Sequence, residues 1–187
     1  MRGIMSSRPQ STRRRRCQSP SRKVTARPAA PVAVEIANRQ RVIAIDRPWL
    51  RDLVRRAVAA IGSEHAEIGL AIVNDAGIAD LHDRWMGLPD PTDVITFDLA
   101  GPGCAGLHGD IAVSAETARR VARDIGWQPR HELAYYVVHG LLHLAGEDDL
   151  DPAARRRMRT REREVMAAIG LPAPPRGRRQ RASRGGR

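Results

Sequence analysis

The segment His131-Glu132-Leu133-Ala134-Tyr135-Tyr136-Val137-Val138-His139-Gly140-Leu141-Leu142-His143-Leu144-Ala145 decides the fold. It predicts one helix, and the run from Leu133 to Val138 leaves that helix almost wholly apolar, so it belongs inside the protein rather than on it. His139 and His143 are four residues apart, which sets both imidazoles on nearly the same helix face, about 6 Å apart along the axis. Gly146 then supplies a stop that tolerates positive φ, after which the chain can turn back and bring in the carboxylate of Asp149. His139, His143 and Asp149 are read as three ligands of a zinc ion, one per chain, with a fourth position open; a structural site closes with four ligands, usually including cysteine.

Buried imidazoles need partners, and the ring nitrogens facing away from a metal are expected to find carbonyl or carboxylate acceptors. Zinc peptidases share the two-histidine helix but carry a glutamate general base directly after the first histidine. Here that residue is Gly140, which speaks against a peptidase. Glycine inside a helix costs roughly 1 kcal/mol relative to alanine, so substrate or neighbouring backbone is expected to come close there.

The chain has 187 residues, 42% of them hydrophobic, enough for one domain with a sizeable core. Its net charge of +11 is concentrated at the ends. Residues 1–32 hold nine basic residues and residues 171–187 hold six, with no acid in either segment, whereas 33–170 holds 17 basic against 21 acidic residues. A mildly acidic domain over 33–170 therefore lies between two basic tails, 1–32 and 171–187. Both are rich in Arg, Ser, Pro and Gly without apolar periodicity, and are expected to be disordered and to add salt-sensitive phosphate affinity. The N-terminal one has no apolar core of a secretory signal, so a cytoplasmic location is expected, with organelle import through this Arg- and Ser-rich tail as the alternative. No run approaches the ~20 apolar residues of a membrane span. Cys17 and Cys104, the only cysteines, support neither a disulfide framework nor a cysteine-based zinc site.

Val32–Ala37 and Arg41–Ile45 read as a short strand or an edge hairpin. Leu50, Leu53, Val54, Ala57, Val58 and Ile61 recur at helical spacing between Pro48 and Gly62. A strand over Glu67–Val73, a helix from Ala76 to about Met86 and a two-proline loop follow. Val94–Leu99 and His108–Ser114 read as hairpin partners, and helices over Ala115–Ile125, His131–Ala145 and Asp151–Ile169 complete the chain. The order predicts an α+β fold: a mixed sheet of about four strands with helices mainly on one face, and the metal site on the central apolar helix and the turn after it.

Three segments in this order, Pro91-Thr92-Asp93-Val94-Ile95-Thr96-Phe97, Gly109-Asp110-Ile111 and the histidine helix, resemble the YbeY family of metal-dependent endoribonucleases over roughly residues 40–169. Met158 and Glu162 match a further Met-x3-Glu element of that family. Two positions depart from the family pattern: Asp149 stands where most members place a third histidine ligand, and Met86 where many have arginine. Aspartate is a competent zinc ligand. Arg84 lies two residues before Met86, turned by roughly 200° on a helix.

The resemblance implies a zinc-dependent, single-strand-directed endoribonuclease acting on ribosomal RNA, especially of the small subunit, in maturation and ribosome quality control. Metal-activated water would attack the phosphodiester, and the metal would polarise a phosphoryl oxygen. For the acid–base partner the sequence offers Asp148, with Glu147 and Asp110 as further candidates, while His108 reads as structural or surface. Two other functions stay open: hydrolysis of another substrate by the same metal, and a non-catalytic RNA- or ribosome-binding factor with a structural metal. Oligomeric state is not legible.

Overall fold

The computed structural model describes residues 32–101 and 103–174. The regions read as basic tails fall outside the described residues, apart from Val32, which opens the first strand, and 171–174. The elements run β1 (Val32–Asn38), α1 (Arg47–Ile61), β2 (Ala66–Val73), α2 (Asp75–Met86), β3 (Val94–Asp98), β4 (Leu107–Ser114), α3 (Ala115–Ile125), α4 (Pro129–Leu144) and α5 (Pro152–Ala168). The sheet order is β1-β2-β4-β3, with β1, β2 and β4 parallel and β3 antiparallel to β4. This is the expected α+β fold with a four-stranded mixed sheet.

Local chemistry sets the helix ends. Asp46 caps α1, Asn74 α2, Ser114 α3 and Asp151 α5, each through its side-chain oxygen, and glycines at positive φ close α1, α2 and α3. At the α2–α3 junction, Asp75 accepts hydrogen bonds from Ser114, Thr117 and Arg120. Burial alone would raise its pKa, but these bonds and the Arg120 charge outweigh it and hold the carboxyl below its usual value. The concavity beside it, about 400 Å³ and lined also by Glu116, Arg119 and Arg123, therefore has its acids committed to structure.

The alternation of each strand divides the protein into two unequal layers. Ile68, Leu70, Ile72, Leu107, Ile111 and Val113 face the larger core with α1, α4 and α5. Val73, Ile95 and Ala112 face the smaller cluster with Ile78 of α2. Within α4, every residue from Glu132 to Leu142 is buried. The helix rests on β3 and β4 and is covered by α1, α3 and α5. Among the described residues no helix is long and apolar enough to cross a membrane.

The segment 41–45 corrects the expectation of a hairpin. β1 pairs in parallel with β2 instead, and the chain leaves the sheet after Arg39. The Gln40 side chain then takes over: its Oε1 accepts from Val42 N at 2.7 Å and Ile43 N at 2.9 Å, and its Nε2 donates to Ile43 O at 2.9 Å. A side chain has replaced the strand partner that the apolar alternation suggested.

Gly140 has a clear packing reason. A Cβ there would stand 2.8 Å from Ile111 Cγ2 and 3.1 Å from Thr96 Oγ1, and one at Gly109 would meet Leu144 Cδ2 at 2.5 Å. The close neighbour at Gly140 is thus a pair of sheet side chains rather than substrate or backbone, and the missing Cβ atoms let α4 settle onto β3 and β4. Gly140→Ala gains ~1 kcal/mol of helix propensity but overpacks a buried contact at roughly 1–3 kcal/mol, so a net loss of up to about 2 kcal/mol is expected by urea denaturation. An unchanged midpoint would show that the helix has room to spare.

Candidate metal centre

The burial of α4 carries its two histidines to the sheet edge as a facing pair. His139 is 6% exposed. The rings are nearly perpendicular, at 89°, and their Nε2 atoms lie 3.0 Å apart. The opposite nitrogens are both engaged. His143 Nδ1 lies 3.0 Å from the carbonyl oxygen of Glu147, and His139 Nδ1 lies 2.7 Å from Glu162 Oε1. A carbonyl can only accept, so His143 Nδ1 carries its proton; the same tautomer is assigned to His139 from its carboxylate partner. In the neutral rings both Nε2 atoms then present lone pairs to each other at contact distance, which is repulsive without a cation between them.

Those nitrogens suit a metal. A tetrahedral zinc with Zn–N of ~2.0–2.1 Å sets two ligand nitrogens roughly 3.3 Å apart, a small opening from the present separation. Glu162, 3% exposed on α5, also accepts from Tyr135 Oη at 2.6 Å, so one buried carboxylate fixes both a ligand-competent ring and a neighbouring phenol. Outer-shell carboxylates of this kind set histidine orientation and basicity in metal sites.

The pair opens into a cleft of about 480 Å³ whose walls include Met86, Asp93, Thr96, Asp98, Leu144 and Asp149. Asp149 arrives by the expected turn: Gly146 has φ 87°, Gly146 N bonds His143 O at 2.9 Å and Glu147 N bonds Leu142 O at 3.0 Å. Arg155 secures the loop beyond by donating to Leu150 O at 3.2 Å. The three sequence-predicted ligands therefore share one cleft. Among the described residues, no three His, Cys, Asp or Glu side chains are already closed into a metal-holding group. The histidine pair is preformed, and Asp149 stands in the wall beside it.

The remaining candidates lie elsewhere. Asp148 is exposed, accepts from Leu150 N at 3.0 Å and is not in the cleft wall. Glu147 supplies its carbonyl to His143, and its carboxylate lies 3.6 Å from Arg161 Nε. Asp110 pairs with Phe97 in the register β3–β4, which places both on the α2 face of the sheet, whereas Thr96 and Ile111 share the α4 face. His108 shares that far face, 3.0 Å from Ala105 O through Nε2 and 3.8 Å from Glu67 through Nδ1. Met86 lines the cleft and Arg84 does not.

Asp93, Asp98 and Thr96 were not legible as site residues. Thr96 and Asp98 alternate with Val94, and that period was the available signal: it sends all three to one face. Glu162 had a clearer one. It sits four residues after Met158 in the buried stripe of α5, and an acid in such a stripe needs a buried partner.

In metal-free protein the neutral form of each ring is expected to be the Nδ1–H tautomer by imidazole nitrogen NMR. An Nε2–H tautomer at His143 would overturn the facing-lone-pair geometry.

Comparison with known proteins adds a family to this geometry. Residues 35–170 match the sequence profile described as Endoribonuclease YbeY. The chain is similar to the protein of that name from Chloroflexus aurantiacus, 38% identical over 135 residues that cover 65% of this chain and 88% of the relative. It is similar also to that of Geobacter metallireducens, 35% identical over 142 residues covering 73% and 95%. A Thermotoga maritima protein solved in solution shares the fold at 21% identity, with a TM-score of 0.50 over 80% of this chain and 99% of the other.

Proposed function

The chain belongs to the YbeY endoribonuclease family, and from that premise we propose that it is a zinc-dependent endoribonuclease cutting unpaired segments of ribosomal RNA, chiefly of the small subunit, in maturation and quality control. The single observation that carries the metal is the pair of His139 and His143 Nε2 lone pairs 3.0 Å apart, each ring pinned through its Nδ1. Asp149 in the cleft wall is the third ligand, leaving a position open to the solvent of the cleft.

A zinc ion there supplies Lewis acidity toward a phosphoryl oxygen and acidifies water toward neutral pH. The protein's own residues do the rest. Glu162 and the Glu147 carbonyl engage Nδ1 of each histidine, which leaves the Nε2 side of each ring to the cleft. Asp93, Asp98 and Asp149 make the walls acidic, and among the described residues no Lys or Arg lines them. A phosphodiester is repelled by those walls except where a cation offsets them, which directs the scissile group to the histidine pair. Asp93 and Asp98 are the carboxylates within the same cleft that can take or return a proton. A second reading, RNA binding without cleavage, draws on Met86 in the cleft, and a cleavage assay on a ribosomal RNA fragment separates the two.

Purified protein is expected to carry about one zinc per chain. His139→Ala or His143→Ala should remove most of it, at a cost of several kcal/mol in binding. Asp149→Asn should lower zinc affinity and cleavage together, while Asp149→His preserves or raises both. Parent-like metal binding and cleavage by the asparagine variant would remove Asp149 from the ligand set.

Glu162→Gln retains an acceptor for His139 but loses the charge, and a roughly 10- to 100-fold fall in zinc affinity is expected from chelator competition. Unchanged affinity would leave Glu162 a packing role only.

A further inference from the structure

The acidic cleft raises the question of what holds the phosphates on either side of the cut, and α5 answers it. Six arginines lie between Arg155 and Arg163 of this helix. At about 100° per residue, Arg156, Arg159 and Arg163 fall within an arc of roughly 60°, at steps of about 4.5 and 6 Å along the axis. Arg156 and Arg159 are exposed and Arg163 half-buried, on a face that flanks the buried stripe of Ala154, Met158, Glu162, Val165 and Met166. Among the described residues none of these three forms an ion pair with an acid; the Arg163 guanidinium meets only Thr160 Oγ1. On the same helix Arg161, by contrast, is paired with Glu147 and Glu164.

This row runs against the rules of helix stability. Like charges at i,i+3 and i,i+4 destabilise a helix. The nearest acid at the helix start, the N-cap Asp151, lies beside Arg155 and Arg157 rather than the row. Such a concentration of unpaired charge is compensated when a polyanion lies along it. The helix is also joined directly to the cleft: it starts just after Asp149, Arg155 grips the loop carrying that residue, and Glu162 on its inner side holds His139.

We infer that the Arg156–Arg159–Arg163 face of α5 is a backbone-binding track for the RNA strand that enters the cleft. The inference rests on the endoribonuclease reading for its ligand. Charge is divided between two surfaces: the cleft accepts a phosphate only with a cation, and the outer face of α5 binds the neighbouring phosphates directly. Guanidinium groups are suited to this, since each presents a planar fork of donors to phosphate oxygens.

The test is the full-length triple variant Arg156→Gln/Arg159→Gln/Arg163→Gln, with the corresponding triple lysine variant, measured for affinity to an unpaired RNA oligonucleotide over a salt series. Three lost contacts to a single strand lower the slope of log affinity against log salt by about 2. Cleavage should show KM raised on the order of 100-fold at 0.1 M salt, with bound zinc unchanged. The lysine variant should restore most of the slope. A slope equal to the parent's overturns the track, as does a glutamine variant that loses affinity for phosphatidylserine vesicles but not for RNA. If the parent cuts RNA and the slope is unchanged, the track alone fails. If the parent does not cut RNA and the slope still falls by about 2, the track stands and the nuclease reading fails.

Discussion

Two imidazole nitrogens facing each other at 3.0 Å on a buried helix are the arrangement on which the rest of this structure depends. Neutral lone pairs do not rest at that distance unaided, so the surroundings must hold them. The backbone carbonyl of Glu147, in the turn after α4, holds one ring, and the Glu162 carboxylate of α5 holds the other. Placing a carboxylate in the core is costly unless each oxygen is bonded, and here Tyr135 takes the second one. The polar network at the centre thus ties α4 to α5 within the apolar contacts around it.

The helix must lie close to the sheet for this pair to reach the cleft, and two glycines make that approach. Gly140 sits over Ile111 and Thr96, and Gly109 lies beneath Leu144. The same register that brings Ile111 opposite Thr96 brings Gly109 opposite Asp98, so the edge strand β3 contributes its polar side chains to the cleft where the sheet side chains are smallest. Packing and chemistry share one surface of the sheet. The opposite surface, shielded only in part by α2, carries Asp110 and His108, which the strand's period of two removes from the site.

Electrostatics separates the surfaces further. Asp93, Asp98 and Asp149 gather in the cleft, while Arg156 and Arg159 of α5 are exposed to solvent. The domain's mildly acidic balance in composition conceals this division. A cation in the cleft and a polyanion along the helix would each relieve a repulsion that the folded chain bears alone.

The sequence by itself determined the order and type of nearly every element, because caps, glycine stops and apolar periods are local: Asp46 and Gly62 bound α1, Ser114 and Gly126 bound α3, and the unbroken apolar run of α4 required a central helix. It also determined the pairing of His139 with His143 and the turn to Asp149, since four helical residues and a glycine at positive φ leave little freedom. The family followed from short motifs in a fixed order. Tertiary structure decided the rest. Only the sheet register could put Asp98 and Thr96 in the cleft and Asp110 behind it, and only the packing of α5 on α4 could bring Glu162 to His139 across 23 residues. Gln40 likewise turned an apolar run away from the sheet by bonding its backbone. Each of these outcomes depends on which side chain meets which across a gap in sequence, and no local period encodes that distance.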